Sequence, residues 1–335
     1  MSADITVVKA SHVQPFIHYL DEVGAPVDKV FEQVNLSRAQ FSHPDNLIPE
    51  APFWKFLGLV DNKPETSGIG FKVTDKLSLD RYGLFGAKVI ESKTLHLALN
   101  TFIEIMGEQS NCPPFWLKED DKGVWFCRLG TQGINYGQWP VEQHVVSLMI
   151  QLVRAYTSET WSPCKVELQT HSLVGIEHTN SLANTAIAIK QSVTAVFISQ
   201  EILRNTPAAP SNQASSKQYS QQENSRQEQI PQKCSRLVSK VLKHRDDLKP
   251  FQTNKIASDL GISVRQLQRL LKKDSTTFRD LCEQVLFEQA KYLLKQNDTS
   301  ILEVSLELGY LESANFTRAF KRWAGVSPSE YKLQA

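Results

Sequence analysis

The sequence predicts an α+β N-terminal domain followed by an all-α C-terminal domain in which two helix-turn-helix units are joined by one linking helix. Three observations predict this division. Helical and strand periods mix through residues 1–204. A polar stretch rich in Gln, Ser, Asn and Pro occupies 205–232. From 233 to 335 the pattern is helical and occurs in two similar copies. Charge divides at the same place. The 335 residues carry 37 Lys+Arg and 36 Asp+Glu, a net of +1. From Lys233 onward there are 18 basic against 12 acidic residues, a net of +6, which leaves 19 against 24, a net of −5, before it. A basic tail on a mildly acidic body suggests a polyanion as the tail's partner.

Hydrophobic residues at 41% and charged residues at 22% form an ordinary globular mixture with ample apolar surface to bury. No run of about 18 apolar residues occurs, and the start, MSADITVVKASHVQPFIHYL, has no apolar h-region. The expectation is a protein of the cytoplasm with no membrane partner. Cys112, Cys127, Cys164, Cys234 and Cys282 are odd in number and form no C-x-x-C pair, so they read as reduced thiols.

In the N-terminal domain, HVQPFIHYLDEVG spaces Val13, Phe16, Ile17 and Leu20 along one helical face. PFWKFLGLVDN, KTLHLALNTFIEIMGEQ and the longer VEQHVVSLMIQLVRAYTSE are further helices. GVWFCRL, KVELQTH and TAIAIKQSVTAVFIS are rich in β-branched and aromatic residues and read as strands. Several helices with strands clustered late imply α+β. The stretch 205–232 has only Tyr219 and Ile230 as sizeable apolar side chains. It cannot bury enough surface to offset its ordering entropy and reads as a flexible linker.

The first C-terminal unit is KIASDLGISVRQLQRLLKK, residues 255–273. Ile256, Ala257 and Leu260 face inward, Gly261 supplies a sharp turn, Ile262 plugs it, and Ser263 caps a second helix. In that helix Leu267, Leu270 and Leu271 point inward, and Arg265, Gln268, Arg269 and Lys272 outward. The second unit, SILEVSLELGYLESANFTRAFKRW, residues 300–323, repeats the plan. Ser300 and Glu303 form a capping box. Ile301, Val304 and Leu308 point inward, and Ser305, Gly309 and Tyr310 stand where Ala257, Gly261 and Ile262 stand in the first copy. Phe316, Ala319 and Phe320 are the inner face of its second helix, and Ser313, Asn315, Thr317, Arg318 and Lys321 reach outward. Between the copies lies FRDLCEQVLFEQAKYLL, with Leu281, Val285, Ala290, Leu293 and Leu294 as its apolar contacts. One rigid helix could hold two recognition helices about 34 Å apart, one turn of B-DNA, so that both enter successive major grooves. Arginine pairs with guanine O6/N7 and glutamine with adenine N6/N7, so these outward faces suit base reading.

The end of the chain, LGYLESANFTRAFKRWAGVSPSEYK, also resembles the AraC/XylS family of transcription regulators. It does so in its glycine-aromatic pair, its F-x-R-x-F-K-R core and its G-V-x-P-x-x-Y close. The resemblance covers about 235–335 and implies a double helix-turn-helix reader of double-stranded DNA. It implies base reading by Arg265, Gln268 and Arg269 from the first unit and by Ser313, Asn315 and Arg318 from the second. Lys272, Lys321 and Arg322 would touch phosphate, fixing register without specifying sequence. Two departures stand out: Leu286 lies where the family usually has an arginine, and Lys332 replaces a closing arginine. The N-terminal half lacks the closely spaced glycines and hairpins of sugar-responsive members. Through YGLFGAKVIESKTLHLALNTFIEI, residues 82–105, it resembles the helix-rich ligand domain of a subgroup that includes ornithine-responsive regulators. That implies a small-molecule effector, with neither the molecule nor its contact residues named. RNA polymerase and a second copy of the chain, as a homodimer, are further implied partners, and the implied setting is the nucleoid.

Catalytic and metal motifs are missing from the sequence. Gly68 and Gly70 lack the third glycine and the Lys-Ser/Thr of a phosphate loop. No G-x-S-x-G elbow occurs. The eight histidines are scattered, and although His171 and His178 flank Glu177, no metal-ligand spacing appears. No enzyme activity, cofactor or metal is expected. One alternative is an enzyme with a DNA-binding appendage, using Cys127 or His144. Another is a ligand-independent factor controlled by its own abundance. Trp54, Trp116, Trp125, Trp139 and Trp161 are expected in the core, one or two of them against an effector.

Overall fold

The computed structural model describes residues 5–112, 114–131, 133–207, 230–231, 233–244, 251–296 and 299–334. Of the expected linker, residues 208–229 and 232 lie outside the described residues. The described chain forms two compact units, one ending at Ile230 and the other beginning at Pro231.

The first unit is built around one helix. Strands β1 (Val7–Lys9) and β2 (Leu47–Pro49) pair antiparallel beside helices α1 (Ala10–Glu22), α2 (Val27–Val34) and α3 (Glu50–Asp61). Val13, Phe16, Ile17 and Leu20 of α1 are buried, as their spacing predicts. Next come α4 (Ile69–Thr74), α5 (Gly83–Ile90) and α6 (Leu95–Ile105), the last capped by Thr94, whose hydroxyl accepts from the Leu97 amide at 3.4 Å. A hairpin of β3 (Phe115–Asp120) and β4 (Gly123–Arg128) then leads to α7 (Gln138–Arg154). Strands β5 (Lys165–Glu167), β6 (Ala186–Ala188) and β7 (Thr194–Ser199) complete a sheet in the order β3-β4-β7-β5-β6. Only β5 and β6 pair parallel; the remaining pairs are antiparallel.

α7 is apolar on most of its circumference, with Val145, Val146, Leu148, Met149, Ile150, Leu152 and Val153 all buried, which is the pattern of a helix covered on all sides. It packs on β7 on one side and on α3 and α4 on the other. Because strand side chains alternate, Val124, Phe126 and Arg128 share one face of β4, and Thr194, Val196 and Ile198 share one face of β7; all six are buried. The four helices and three strand regions expected from sequence form, with 185–199 divided into β6 and β7. Pattern reading missed β1, β2, β3, α2, α4 and α5. β3 escaped because its second half, Lys118–Asp120, is exposed and charged, so it shows no sustained alternation. One end of the expected linker is anchored to this unit: Ile230 is buried and its amide donates to the Gly107 carbonyl at 2.7 Å.

Every regular element of the second unit among its described residues is a helix: α8 (Cys234–His244), α9 (Thr253–Asp259), α10 (Val264–Lys273), α11 (Phe278–Leu294), α12 (Ile301–Glu307), α13 (Ser313–Ala324) and α14 (Pro328–Gln334). α11 is the expected linking helix, started by a reciprocal Thr277–Asp280 capping box. It packs against α8, α12, α13 and α14. All five apolar residues assigned to it, Leu281, Val285, Ala290, Leu293 and Leu294, are buried.

Candidate nucleic-acid interface

The two helix-turn-helix pairs have the same backbone chemistry at their turns. In the first, the Gly261 amide donates to the Ser258 carbonyl and the Ile262 amide to that of Ala257, both at 2.9 Å. In the second, Gly309 donates to Leu306 at 2.9 Å and Tyr310 to Ser305 at 3.0 Å. Each is a Schellman closure, in which a left-handed residue just past the helix lets two orphan carbonyls find donors. Gly261 at φ +67° and Gly309 at φ +80° occupy a region where any Cβ is strained. The carbonyls that accept from Ile262 and Tyr310 belong to small buried residues, Ala257 and Ser305, which leave room for the chain to turn back. Tyr310 covers its turn against Phe316, with ring centroids 5.7 Å apart.

The second helix of each pair then presents a divided surface. On α10 the Ser263 hydroxyl caps the N-terminus, accepting from the Gln266 amide at 3.2 Å. Leu267, Leu270 and Leu271 are buried, whereas Arg265, Gln268, Arg269 and Lys272 are exposed. On α13 Phe316, Ala319 and Phe320 are buried; Asn315, Arg318, Lys321 and Arg322 are exposed, and Ser313 is half-buried. Asn315 and Arg318 are brought together, the Arg318 Nη2 donating to Asn315 Oδ1 at 2.6 Å. This bond fixes the asparagine's amide orientation next to a guanidinium edge. Thr317, expected to reach outward, instead donates its hydroxyl to the Ser313 carbonyl at 2.9 Å.

Arg322 is held by the protein itself. Its Nη2 donates to Glu283 Oε1 at 2.8 Å, Arg279 Nε donates to the same oxygen at 2.9 Å, and Trp323 Nε1 donates to Glu283 Oε2 at 3.2 Å. Partial burial alone would raise the Glu283 carboxyl. The bonds from Arg279 and Trp323 and the charge of Arg322 outweigh burial and hold it below its ordinary range. This hub on α11 fastens α13, together with the Phe287 ring, whose centroid lies 5.6 Å from that of Phe320 and 6.0 Å from that of Trp323. Sequence reading missed Glu283; its i,i+4 relation to Arg279 was the available signal. The first pair is fastened separately, by Asp274 at the end of α10, whose carboxylate accepts from the Ser235 amide of α8 at 2.8 Å.

The first unit contains a cleft of about 560 Å³ between β4, the start of α7 and the segment after β5. Trp54 and Trp139 line it, as do Tyr136, Glu142 and Arg128. Glu142 is bonded on both oxygens: Oε1 accepts from the Gln169 amide at 2.7 Å and from the Thr194 hydroxyl, and Oε2 from the Thr170 amide at 2.9 Å. Burial raises its carboxyl above the ordinary range, opposed by those bonds and by the charge of Arg128. Of the other tryptophans considered for a ligand, Trp125 packs edge-on against Phe197 with centroids 5.2 Å apart.

The residues considered for catalysis are placed otherwise. Cys127 is buried, and burial pushes its thiol up to about 11. His144 is buried against Phe16 with its Nδ1 2.6 Å from the Thr74 hydroxyl, and burial, then the charges of His12 and Arg128, pushes it down to about 3. Gly68 and Gly70 form no phosphate cradle. The Asp61 carboxylate already accepts from the Gly68 and Ile69 amides at 2.9 and 3.2 Å. A Cβ on Gly70 would lie 2.2 Å from the Pro140 carbonyl oxygen, so that glycine serves the contact of α4 with α7. No group of three or more potential metal ligands occurs among the described residues, and no helix there is long and apolar enough to cross a membrane.

A helix-turn-helix domain model matches residues 256–334. A second model, the arabinose-binding N-terminal domain of AraC transcription regulators, matches residues 24–206, more than half of the chain. The chain belongs to the AraC family of transcription regulators. An uncharacterised HTH-type transcriptional regulator of Mycobacterium tuberculosis is 41% identical over 76 residues, 23% of this chain and 22% of that protein. The ornithine utilization regulator of Pseudomonas aeruginosa is 36% identical over 76 residues, again 23% and 22%. The match thus spans about a fifth of these curated relatives. The solved structure of the transcriptional regulator CdpR from Pseudomonas aeruginosa aligns with 92% of this chain and 97% of that one, at 16% identity and a TM-score of 0.38.

Both departures from the AraC pattern have a local account. Leu286 is partly buried and packs against the apolar cluster of Ala290, Leu293, Leu294, Val304, Leu308, Phe316 and Phe320, while Glu283, one turn earlier, supplies the polar anchor. Lys332 keeps a tethering role: its Nζ donates to the Thr299 carbonyl at 2.6 Å, tying α14 to the entrance of α12.

Proposed function

We propose that this AraC-family chain is a sequence-specific regulator of transcription that reads double-stranded DNA through residues 233–335 and senses a small molecule through residues 1–204, with 205–232 as the tether. The observation that carries the reading is the duplicated turn with its divided helices. Two Schellman-closed pairs present Arg265, Gln268 and Arg269, and Ser313, Asn315 and Arg318, on helices whose opposite faces are buried. Lys272 and Lys321 are assigned to phosphate. Arg322 can add a phosphate contact only through the part of its guanidinium not committed to Glu283; its side chain is 55% exposed. At about 1.5 Å per residue the linking helix is roughly 25 Å long, and half a helix diameter of about 10 Å at each end brings the span to about 35 Å. That supports entry of α10 and α13 into successive major grooves.

Control follows from linkage. An effector alters DNA affinity only if it discriminates between the same two states that DNA discriminates between. Dimerisation through the N-terminal domain, contact with RNA polymerase and a place in the cytoplasm beside the nucleoid belong to the same proposal. So does the absence of catalysis, which the buried, protonated Cys127 and the enclosed His144 support. The test is anisotropy titration of the full chain against genomic fragments. A specific fragment should bind, with log K falling against log salt by about 0.9 for each neutralised phosphate. Equal affinity for every fragment at all salt concentrations refutes the reading.

A further inference from the structure

Arg128 is an unusual residue for the inner face of a sheet. It ends β4, opposite Phe115 on one side and Thr194 on the other. Its two predecessors on that face, Val124 and Phe126, are core residues. Arg128 is only 6% exposed, and what remains accessible lines the 560 Å³ cleft. No hydrogen bond or ion pair engages its guanidinium among the described residues; the guanidinium carbon lies 5.8 Å from the centroid of the Phe115 ring, and its charge acts on the Glu142 carboxyl. A buried arginine ordinarily has its charge paired and its fork of donors filled, because an uncompensated buried charge is strongly unfavourable. Glu142, the acidic residue of the same cleft, does not fill that place. Its oxygens are taken up by the Gln169 and Thr170 amides and the Thr194 hydroxyl. The fork is therefore left without a hydrogen-bond partner in a residue that lines a cavity of ligand size.

The rest of the lining narrows the occupant. Trp54, Tyr136 and Trp139 supply aromatic surface for an apolar body. Trp139 is fixed by its own indole, which donates to the Val174 carbonyl at 2.6 Å. Gly137, at φ +65°, is pressed on the Trp54 backbone so closely that a Cβ would lie 1.7 Å from its carbonyl oxygen, so this wall is tightly packed. One guanidinium beside one acidic side chain suits a single negative charge; a phosphate dianion would meet Glu142 with only Arg128 to offset it. A carboxylate matches the planar fork with two parallel bonds.

We propose that this cleft is the effector site and that it takes a small monocarboxylate with an apolar or aromatic body, its carboxylate bound by Arg128. The inference rests on the reading of the N-terminal unit as a sensor and adds to it the chemical class sensed and the residue that selects it.

The test uses the full chain and tryptophan fluorescence, since Trp54 and Trp139 line the site. The probes are benzoate, phenylacetate and hexanoate, each beside its primary amide. At least one acid should bind saturably, about 10- to 100-fold tighter than its amide, the ratio expected of charge-assisted bonds. Arg128→Gln should erase that ratio, and Arg128→Lys should restore part of it. Without ligand, the melting temperature of Arg128→Gln should equal or exceed that of the parent, because the substitution removes a buried guanidinium whose donors have no hydrogen-bond partner among the described residues. Acid and amide binding alike in the parent overturns the proposal, as does no saturable binding by any probe up to about 10 mM, the weak end of specific recognition. A large fall in melting temperature for Arg128→Gln overturns it too, by making the arginine a structural anchor. Promoter affinity is measured in parallel. Arg128-dependent acid binding that leaves DNA affinity unchanged keeps the site and removes the sensor reading. Control by a neutral molecule keeps the sensor and removes the site.

Discussion

Substitution of Glu283 by alanine isolates the hub that fastens the second helix-turn-helix pair to the linking helix. Three donors lose their acceptor together: Arg322 at 2.8 Å, Arg279 at 2.9 Å and Trp323 at 3.2 Å. They are unequal. Arg279 is 77% exposed and its i,i+4 pair is worth about 0.3 kcal/mol. Arg322, at 55%, contributes about 0.5 kcal/mol. The indole of Trp323 is part-buried and bonded to a charged oxygen, so leaving it unmatched costs about 1–1.5 kcal/mol. The sum is about 2 kcal/mol. For a unit of this size that lowers the melting temperature by about 8–15 °C. Glu283→Gln keeps an acceptor for the indole and should lose about half as much. The assay is denaturant unfolding of the full chain with hydrogen exchange followed in α13, combined with a double-mutant cycle to Trp323→Phe. A loss below about 0.5 kcal/mol, or a loss unchanged in the Trp323→Phe background, would refute the hub. The sign with pH follows from the lowered carboxyl. The contribution is complete above the unfolded-state value of about 4.3 and disappears as pH falls through the lower folded value.

Other outcomes can be checked directly. Arg269→Ala should weaken specific binding by about 1–3 kcal/mol and relax the preference at one base, whereas Lys321→Ala should weaken all sequences alike and reduce the salt slope by about 1; anisotropy on matched and mismatched fragments separates the two, and identical behaviour would undo the division into base and phosphate contacts. Gly309→Ala, forced to φ +80°, should destabilise the second unit by about 1–2 kcal/mol in denaturant melts; a neutral result would mean the turn relaxes. His144 stays neutral in the folded chain down to about 3. The unfolded chain takes up its proton near 6.5, so stability should decline as pH falls from 6.5 toward 3. His144→Phe should flatten that decline in acid titrations monitored by fluorescence, and an unaltered profile would place the acid sensitivity elsewhere.

What the sequence determined by itself about this AraC-family chain is what depends on near neighbours along the chain. Leu267, Leu270 and Leu271 are buried, and Arg265, Gln268, Arg269 and Lys272 exposed, because helical geometry alone sorts them. Gly261 and Gly309 end α9 and α12, and Ser263 and Ser300 cap the starts of α10 and α12, through hydrogen bonds that span a few residues. The boundaries of the linking helix were legible for the same reason. Only the tertiary structure decided what depends on distant partners. Arg322 meets Glu283 across 39 positions, so a side chain expected to touch phosphate is also part of an internal hub. β3 is a strand because β4 pairs with it, not because its own charged half alternates. Arg128 faces a cleft through the register of β4 with β7, and Glu142 is occupied by residues 27, 28 and 52 positions away. Periodicity says which side of an element is inward, but a binding cleft arises where elements meet imperfectly, and that meeting is set by packing between segments far apart in the chain.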